Sequence, residues 1–264
     1  MSTRWSGARD AALLAGATGL LVHAGPALGA IGPVRRRVLP AYSGFGDPDH
    51  VALTFDDGPA RASTPLFLEA LARAGVRATF FVLGSSLARD PGLGREVAAA
   101  GHELAVHGWE HRLLTLRGPR AVAEDLRRAR DLVGDLAGRA PRWFRPPYGV
   151  ATTGALRSAG RLDLTPVLWT AWGRDWTRRA TARSIATAVG RVRPEGGTIL
   201  LHEVDTCSAP GSWRATLDAL PDLLGRWHGA GLRVGPLGEH RRSINTPIAP
   251  PGSAGRRTRR GRPQ

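Results

Sequence analysis

The sequence contains only one cysteine, Cys207, and no lysine among its 264 residues. A single cysteine excludes an intramolecular disulfide, but it neither requires nor excludes export. We interpret Cys207 as an incidental loop residue. Because all 37 basic residues are Arg, and Ala and Gly are abundant, the composition indicates a GC-biased coding sequence rather than selection for phosphate contacts.

The last 24 positions contain seven Arg and no acidic residue. They therefore contribute +7 to the net charge of +15. Residues 1–47 add five Arg and two Asp, whereas residues 48–240 hold 25 Arg against 20 acidic residues. Two thirds of the excess charge therefore lies in the flanks. A basic domain would favour nucleic-acid binding, but the peripheral charge and the lack of a recognised motif predict that this chain binds no nucleic acid.

Residues 11–34 form an uncharged segment that is long enough to span a bilayer. Arg4 and Arg9 precede it, and the small residues of "ALGA" offer a cleavage site, as in an export signal. Five Gly and His23 lower its apolarity, and the three Arg at 35–37 would keep the following chain in the cytoplasm. We expect an exported or membrane-anchored protein of the cell envelope. The alternative is a membrane-associated or buried helix in a cytoplasmic or peripheral membrane protein.

The chain divides into three parts. Residues 1–47 comprise the apolar segment and a linker, residues 48–240 a single folded domain, and residues 241–264 a flexible tail. The tail has few apolar residues and many Pro, Gly and Arg, which is typical of disorder. It is either simply solvated or weakly attracted to anionic phospholipid or cell-wall polymer. We expect the protein to be a monomer.

Short β-branched or apolar runs alternate with amphipathic helical patterns from residue 51 onward. The predicted strands are 51–55, 78–83, 103–107, 142–144, 164–170, 197–202 and 232–236, and the predicted helices are 64–74, 89–100, 119–137, 152–160, 181–192 and 212–230. Seven strands joined by helices imply an α/β fold with a parallel sheet and right-handed crossovers, and this number is compatible with closure towards a barrel.

Polar residues follow these strands at the carboxyl ends, where reactive groups of parallel α/β folds collect. They are Asp56 and Asp57 after the first strand, His107 and His111 after the third, Arg145 after the fourth, Asp175 after the fifth and His202 at the end of the sixth. "FDDGP" alone would suit a turn, because Asp and Gly are common turn residues. Turn formation does not readily explain polar residues at the carboxyl ends of five strands. We therefore expect these side chains to meet on one rim of the sheet.

An Asp and two His make a suitable ligand set for a divalent metal ion with one position left open. Asp57, His107 and His111 could supply it, and the ion would lower the pKa of a water molecule to about 7 and polarise a carbonyl. The spacing of the two His is weak evidence by itself. It is not the zinc-protease motif, because Gly108 disfavours a helix and Glu110 occupies the wrong position.

The remaining groups could move protons. With the metal ion held by Asp57, Asp56 is free to accept a proton from water. His202 could protonate a leaving amine, because the pKa of histidine lies near neutrality. Asp175 could orient that imidazole and stabilise its charge; the alternative is a surface salt bridge with a neighbouring Arg of "WGRDWTRR".

Five motifs in this order, "TFDDGP", "HGWEH", "RPPYG", "RDW" and "LLH", resemble the NodB-homology polysaccharide deacetylases of carbohydrate esterase family 4. The resemblance covers roughly residues 48–238 and implies a distorted (β/α)7 barrel as a single catalytic domain with flexible extensions. It implies that Asp56 is the catalytic base. It also implies one divalent ion, usually Zn²⁺ with Co²⁺ or another transition metal as the alternative, bound to Asp57, His107 and His111.

The resemblance further implies supporting roles around the reaction centre. Arg145 would orient Asp56, and Asp175 would lie behind His202, which would be the acid. The backbone N–H of Tyr148 would stabilise the oxyanion, and Leu200 and Trp176 would line a pocket for the acetyl methyl group. The sequence departs from the family pattern at Gly108, where Ser or Thr is common, at Trp172, where Asp often stands, and at Glu203, where Asp is usual. Loss of a hydrogen bond beside the first metal histidine would weaken metal binding. None of the departures removes a residue that performs a chemical step.

The tryptophans indicate the kind of substrate. Five lie in or near the expected rim loops: Trp109, Trp143, Trp172, Trp176 and Trp213. Sugar rings stack on such aromatic faces, although Trp143 is better explained by barrel packing. We expect a hydrolase that removes N-acetyl groups from a carbohydrate such as peptidoglycan or a chitin-like glycan. The alternatives are an O-acetyl esterase acting on xylan, a hydrolase of small amides, and a non-catalytic carbohydrate-binding domain, against which the presence of Asp56 and His202 argues.

Overall fold

The computed structural model describes residues 16–21, 23–38 and 40–240. The predicted tail at 241–264 lies outside the described residues, as do positions 11–15 and 22 of the predicted apolar segment. Residues 16–21 and 23–24 are helical. Within the described part of the chain, no helix is both long enough and apolar enough to cross a membrane.

The strands of the described chain form one parallel sheet. They are β1 (His50–Asp56), β2 (Thr79–Val82), β3 (Glu103–Val106), β4 (Trp143–Phe144), β5 (Thr165–Pro166), β6 (Ala171–Trp172), β7 (Thr198–His202) and β8 (Arg233–Gly235). The main path runs β5-β4-β3-β2-β1-β7-β6, with β1 near its centre. One edge of β1 pairs with β7, whereas β8 pairs with its first residues and β2 with its last.

The sheet is curled into an incomplete barrel. β5 and β6 lie at opposite ends of the strand path, yet only residues 167–170 separate them in the chain. This connection can span at most about 18 Å, whereas the outer strands of a flat seven-strand sheet would lie about 29 Å apart. The sheet must therefore bend until its edges approach. The predicted distorted (β/α)7 barrel is confirmed, with an opening between β5 and β6.

Helices surround the curled sheet. They are α1 (Gly32–Val38), α2 (Thr64–Arg73), α3 (Gly84–Arg89), α4 (Pro91–Ala99), α5 (Pro119–Ala137), α6 (Thr153–Arg161), α7 (Ala182–Gly190) and α8 (Trp213–Gly229). Side chains at three helix starts accept backbone hydrogen bonds: Asp90 before α4, Thr152 before α6 and Thr181 before α7. Gly138 ends α5 with φ of 67°, a left-handed conformation that glycine adopts without steric cost.

The predicted strand at 164–170 is wrong as a single element. The structure has the two short strands β5 and β6 there, because the chain crosses from one edge of the sheet to the other. The N–H of Val167 donates to the carbonyl of Phe144 on the β4 side, and the N–H of Thr170 donates to the carbonyl of Thr198 on the β7 side. The short helix α3 also lies almost wholly outside the predicted helices.

Side chains of β1 alternate between the two faces of the curled sheet. Leu53 and Phe55 belong to the large core cluster between the sheet and the helices. Ala52 belongs to a second cluster inside the barrel. Because Thr54 and Asp56 share the face of Ala52, the carboxylate of Asp56 points into the barrel at the carboxyl end of the strand.

The residues that precede β1 cover the connection between β5 and β6. The carbonyl of Tyr42 accepts the N–H of Leu168 at 3.0 Å. Arg35 is buried, and its guanidinium donates to the carbonyl of Trp169 at 2.6 Å. This part of the chain therefore packs against the folded domain; the predicted boundary at position 48 stays a prediction.

Candidate active site

The carboxyl ends of the strands surround a cavity of about 230 Å³. It is lined by Asp56, Asp57, His107, His111, Tyr148, Gly149, Trp169, Trp172, Trp176, Leu200, His202, Cys207 and Ser208. Arg145 and Asp175 are buried behind this surface, where they contact Asp56 and His202, respectively. The structure thus brings together on one rim all the side chains that follow the five strand ends.

Asp56 and Asp57 both reach the cavity because the strand ends between them. Asp56 is the last residue of β1. Asp57 has φ of 78°, in the left-handed region that Asp tolerates better than most residues. This turn of the backbone cancels the alternation that would otherwise direct neighbouring side chains to opposite faces. Two carboxylates with exposed fractions of only 3% and 2% therefore share one site.

Asp57, His107 and His111 lie together, and we call these three expected metal ligands the ligand set. Oδ1 of Asp57 lies 3.3 Å from Nε2 of His107 and 3.4 Å from Nε2 of His111. This oxygen is buried and has no hydrogen-bond partner. Nδ1 of His107 donates to the carbonyl of Arg145 at 2.8 Å, so Nε2 is the ring nitrogen that faces Asp57. An orphaned carboxylate oxygen beside two imidazoles fits the divalent ion that the family resemblance implies.

Electrostatics favour the ligand forms of these residues. Burial alone would raise the pKa of the Asp57 carboxyl, but the close approach of His107, followed by His202 and His111, holds that pKa at about 2. Burial lowers the pKa of His111 to about 4, and the charge of His107 acts in the same direction. At neutral pH the site therefore offers a carboxylate and a neutral imidazole, which are the forms that bind metal ions.

Arg145 is fully buried behind Asp56. Its guanidinium donates to Oδ1 of Asp56 at 2.6 Å and to Oγ1 of Thr54 at 2.8 Å. It also donates to the carbonyls of Val167 at 3.4 Å and Leu168 at 2.9 Å, in the connection between β5 and β6. One side chain thus orients the Asp56 carboxylate and holds the chain at the barrel opening.

His202 ends β7, and its imidazole is held by Asp175. Nδ1 donates to Oδ1 of Asp175 at 2.9 Å, and Oγ1 of Thr216 donates to Oδ2 of the same carboxylate at 2.9 Å. Burial disfavours the charged ring, but the charge and hydrogen bond of Asp175 outweigh it and raise the pKa of His202 to about 10. His202 is therefore protonated at neutral pH, with Nε2 3.8 Å from Oδ2 of Asp57.

Glu203, one of the departures from the family pattern, is a buried acid at the same site. It is fully buried, and neither carboxyl oxygen has a hydrogen-bond partner. Burial, reinforced by the charge of Asp57, raises the pKa of Glu203 well above its usual range and so favours the protonated carboxyl. A Cβ at position 58 would collide with Oε1 of Glu203. Gly58 is therefore required for the close approach of this side chain.

Gly108, a second departure, lies in the loop between the two metal histidines and has φ of 96°. A Cβ there would lie 3.2 Å from Oδ2 of Asp125. That oxygen accepts the N–H of Trp109 at 2.7 Å, and the other oxygen of the carboxylate pairs with Arg117. Asp125 thus holds the loop, and His107 keeps the hydrogen bond from its Nδ1.

Tyr148 lies at the mouth of the cavity, on the short turn that follows β4. Its backbone has φ of 60° and ψ of 6°, in the left-handed region. Its ring meets His111 edge-on, with 4.3 Å between ring centroids, and the residue is 58% exposed. The turn therefore brings a backbone amide and an aromatic ring beside the ligand set.

Three tryptophans form an aromatic wall of the cavity, which we define as Trp169, Trp172 and Trp176. The ring centroids of Trp169 and Trp172 are 5.7 Å apart, those of Trp172 and Trp176 are 4.7 Å apart, and Trp176 meets His202 edge-on at 5.8 Å. Leu200 is almost fully buried in the cavity lining. The aromatic wall extends from His202 to the exposed rim of the cavity. It includes Trp172, one of the positions at which the sequence departs from the family pattern.

The other tryptophans predicted near the rim do not line the cavity. Trp143 is buried inside the barrel and donates its Nε1–H to Glu103 at 2.9 Å, in agreement with barrel packing. Trp109 packs under the guanidinium of Arg128, 3.4 Å from its ring centroid. Trp213 begins α8 and is buried. These three rings therefore contribute to packing.

Trp169, Cys207 and Ser208 line the cavity although the five motifs do not include them. Trp169 could have been found from "LWTAW", in which two tryptophans flank the edge of the sheet. Cys207 lies five residues after His202, on the loop that follows β7. Its position beyond the carboxyl end of this strand could have indicated that it lies near the cavity. The interpretation of Cys207 as an incidental loop residue overlooks this position.

Known proteins match both the sequence and the fold. A family model for polysaccharide deacetylases matches residues 44–167. A chitooligosaccharide deacetylase of Bradyrhizobium sp. is 34% identical over 194 residues, which cover 71% of this chain and 88% of that protein. The peptidoglycan-N-acetylglucosamine deacetylase PgdA of Listeria monocytogenes is 35% identical over 159 residues, which cover 60% of this chain. This second match spans only 33% of the Listeria protein.

The solved structure of a family 4 carbohydrate esterase from Streptomyces lividans, in complex with acetate, is also similar. It is 33% identical, with a TM-score of 0.63, and the match covers 71% of this chain and 92% of the esterase. The identity to the Bradyrhizobium protein exceeds 30% along most of its length. The curled sheet and the five motifs at its strand ends point to the same family. The chain therefore belongs to the polysaccharide deacetylase family, the NodB-homology proteins of carbohydrate esterase family 4.

Proposed function

We propose that the protein is a metal-dependent hydrolase that removes N-acetyl groups from an amino-sugar polymer of the cell envelope, such as peptidoglycan or a chitin-like glycan. The observation that carries this proposal is that a base and an acid flank one ligand set. Oδ2 of Asp56 lies 3.8 Å from Nε2 of His107, and Nε2 of His202 lies 3.8 Å from Oδ2 of Asp57. The names of the Bradyrhizobium and Listeria relatives support the substrate class.

Asp57, His107 and His111 would hold one divalent ion, for which Zn²⁺ is the expected species and Co²⁺ an alternative. When bound, such an ion supplies Lewis acidity that lowers the pKa of water and polarises an acyl carbonyl. The protein supplies orientation and protonation state. The hydrogen bond from Nδ1 fixes the ring of His107, and burial keeps His111 neutral.

Amide hydrolysis requires one proton to leave the attacking water and one to reach the departing nitrogen. Asp56 is suited to accept the first proton, because Arg145 binds Oδ1 and Oδ2 remains directed to the ligand set. His202 is suited to donate the second through Nε2, because Asp175 binds Nδ1. The C–N bond then breaks, and the products are acetate and a free amino sugar. A protonated His202 favours amides, since an amine leaves only after it is protonated.

The residues at the cavity mouth would bind the acyl group. The backbone N–H of Tyr148 would donate to the oxygen on which negative charge develops. Leu200 and Trp176 would enclose the acetyl methyl group. The structure of the Streptomyces lividans esterase in complex with acetate supports the proposal that this cavity binds an acyl group.

The aromatic wall would bind the glycan, because sugar rings stack on exposed aromatic faces. A carbohydrate is therefore the expected partner, and we expect the protein to act as a monomer. Action on an envelope polymer requires export or membrane anchoring, for which residues 11–34 are the candidate segment. Part of this segment lies outside the described residues.

Acetate release from a panel of N-acetylated glycans tests the function, with acetylxylan and a small cyclic amide in the same panel. We expect acetate from peptidoglycan or chitin oligomers, loss of activity with a chelator, and recovery on addition of Zn²⁺ or Co²⁺. The variant Asp57→Ala should not recover. Acetate from acetylxylan alone would replace the proposal with the O-acetyl esterase alternative. If the metal-loaded protein cleaves no acyl substrate in the panel, the proposed hydrolase activity is wrong for these substrates, and the non-catalytic carbohydrate-binding alternative is favoured.

A further inference from the structure

The loop that follows β7 brings the thiol of Cys207 to the metal-ligand set. One ligand atom from each of Asp57, His111 and Cys207 lies within 4.8 Å of the other two. Bonds from Zn²⁺ to carboxylate oxygen, imidazole nitrogen and thiolate sulfur are about 2.0–2.3 Å long. Two ligand atoms on one ion are therefore at most about 4.6 Å apart, so atoms separated by up to 4.8 Å can bind one ion if they move closer together.

A second observation points to a ligand at this place. Oδ1 of Asp57 has no hydrogen-bond partner although the residue is only 2% exposed. A buried charged oxygen without a partner is costly, so it indicates a group that the protein alone does not provide. A cation bound to this oxygen would have the imidazole of His111 and the thiol of Cys207 nearby.

Local contacts fix the position of Cys207. Oδ2 of Asp205 accepts the N–H of Gly211 at 2.6 Å and so closes the loop on itself. The N–H of Ala209 donates to the carbonyl of Trp176 at 2.9 Å, which attaches the loop to the aromatic wall. The short side chain of Cys207 is therefore positioned by backbone that is held on both sides.

We propose that Cys207 is a fourth, displaceable ligand of the divalent ion, in addition to Asp57, His107 and His111. This inference rests on the metal site of the proposed function. Catalytic zinc sites commonly have three protein ligands and leave the fourth position to water or substrate. Once the thiol has lost its proton to solvent, a thiolate in that position would give a resting form that binds metal more tightly, and water or substrate would have to displace the sulfur before turnover. It also favours Zn²⁺ over hard cations such as Mg²⁺.

Substitution with Co²⁺ tests the proposal directly, because thiolate ligation gives a sulfur-to-metal charge-transfer band in the near ultraviolet. The full-length protein loaded with Co²⁺ should show this band, and Cys207→Ser should abolish it. Ser208→Ala is the matched control in the same loop and should retain the band. Since Cys207 is the sole cysteine of the sequence, no other thiol can produce the signal.

Binding of Zn²⁺ in competition with a chromophoric chelator gives an independent measurement. Cys207→Ser should lower the affinity for Zn²⁺ by at least about tenfold. Loss of a residue that merely hydrogen-bonds to a metal ligand already weakens metal binding by about this factor, and loss of a ligand should weaken it at least as much. Circular dichroism of the metal-free variants should show that both remain folded.

Two results overturn the inference and leave the proposed function standing. One is a Co²⁺-loaded wild-type protein without the charge-transfer band. The other is equal Zn²⁺ affinity for Cys207→Ser and Ser208→Ala. A different result, in which Asp57→Ala binds Zn²⁺ as tightly as the wild type, would contradict the metal site itself and therefore the proposed function as well.

Discussion

Asp175 accepts two hydrogen bonds from His202, one from the ring and one from the backbone. Nδ1 of the imidazole donates to Oδ1 at 2.9 Å, and the N–H of the same residue donates to Oδ2 at 2.6 Å. Because both carboxylate oxygens are engaged, the carboxylate cannot rotate without breaking a hydrogen bond. Asp175 therefore fixes both the orientation of the ring and its charge.

Replacing Asp175 with Asn should lower the pKa of His202, because it removes the negative charge that stabilises the imidazolium. A general acid loses its proton as pH rises through its pKa. The alkaline limb of the kcat/KM profile should therefore move to lower pH, by about 1–3 units for a charge at this distance. Thr216→Val, which removes only a neutral donor to Asp175, should cause a smaller shift. An unmoved limb in Asp175→Asn would show that His202 does not limit the rate at high pH.

Replacing His202 with Ala should slow amide cleavage by about 10²- to 10⁴-fold, the usual contribution of a general acid. Turnover of acetylated glycan by the metal-loaded variant measures this effect. An acetate ester with a good leaving group is the matched substrate and should be affected less, since its leaving group departs without a proton. An unchanged rate on the amide would remove His202 from the mechanism.

Replacing Asp56 with Asn should leave the metal ion bound and abolish most turnover, with a loss of about 10²- to 10⁴-fold for a general base. Asn keeps an oxygen that can accept the hydrogen bond from Arg145, so the fold should persist. Metal content and kcat are measured on the same sample. Asp57→Asn is the control and should lose metal. Loss of metal in Asp56→Asn instead would mean that the two carboxylates have exchanged roles.

Replacing Arg145 with Met should destabilise the metal-free protein by about 3–5 kcal/mol, because it leaves the charge of Asp56 buried without a partner. Urea unfolding measures the loss. The double variant with Asp56→Asn should lose less than the sum of the single variants, since the unpaired charge is then absent. Additive losses would show that the backbone carbonyls of Val167 and Leu168, rather than Asp56, account for the role of Arg145.

The histidine at position 102 should make the protein sensitive to acid. Burial, with a smaller effect of the charge of Arg77, lowers the pKa of His102 to about 4, and Nδ1 accepts the N–H of Ala78 at 3.1 Å. The unfolded chain therefore binds a proton near the usual pKa of 6.5, before the folded protein does. Stability is fully present above that value and falls as pH decreases towards 4, by up to about 1.4 kcal/mol per pH unit from this group.

His102→Asn tests this dependence, because the amide oxygen can replace Nδ1 as the acceptor but does not titrate. Urea unfolding of the metal-free protein at neutral and mildly acidic pH gives the slope. The variant should lose less stability on acidification than the wild type. Identical slopes would show that His102 titrates in the folded state as it does in the unfolded chain.

The sequence was sufficient to place these polar side chains at one cavity because parallel strands bring their carboxyl ends to one rim. The positions of Asp56, His107 and His202 follow from this rule and from the strand pattern alone. The conformation of Asp57 does not, because alternation along a strand directs neighbouring side chains to opposite faces. Only the left-handed turn at φ of 78° places both carboxylates in the cavity.

The barrel opening could not be read from local patterns. The apolar run from 164 to 170 has the composition of one strand, but a continuous strand there could pair with only one edge of the sheet at a time. The tertiary structure divides it between β4 and β7. The position of Cys207 depends on hydrogen bonds within a loop and with Trp176, which no periodicity encodes.

The hydrogen bond from Arg35 to the carbonyl of Trp169 joins positions 134 residues apart. A protein shortened to the start of the family match, at residue 44, would lack that donor and the covering it gives to one side of the aromatic wall. Trimming the amino-terminal extension should therefore change the affinity of the aromatic wall for the glycan that we propose as its ligand. Kinetic comparisons between preparations that begin before and after Arg35 should treat this residue as a neighbour of the proposed binding surface.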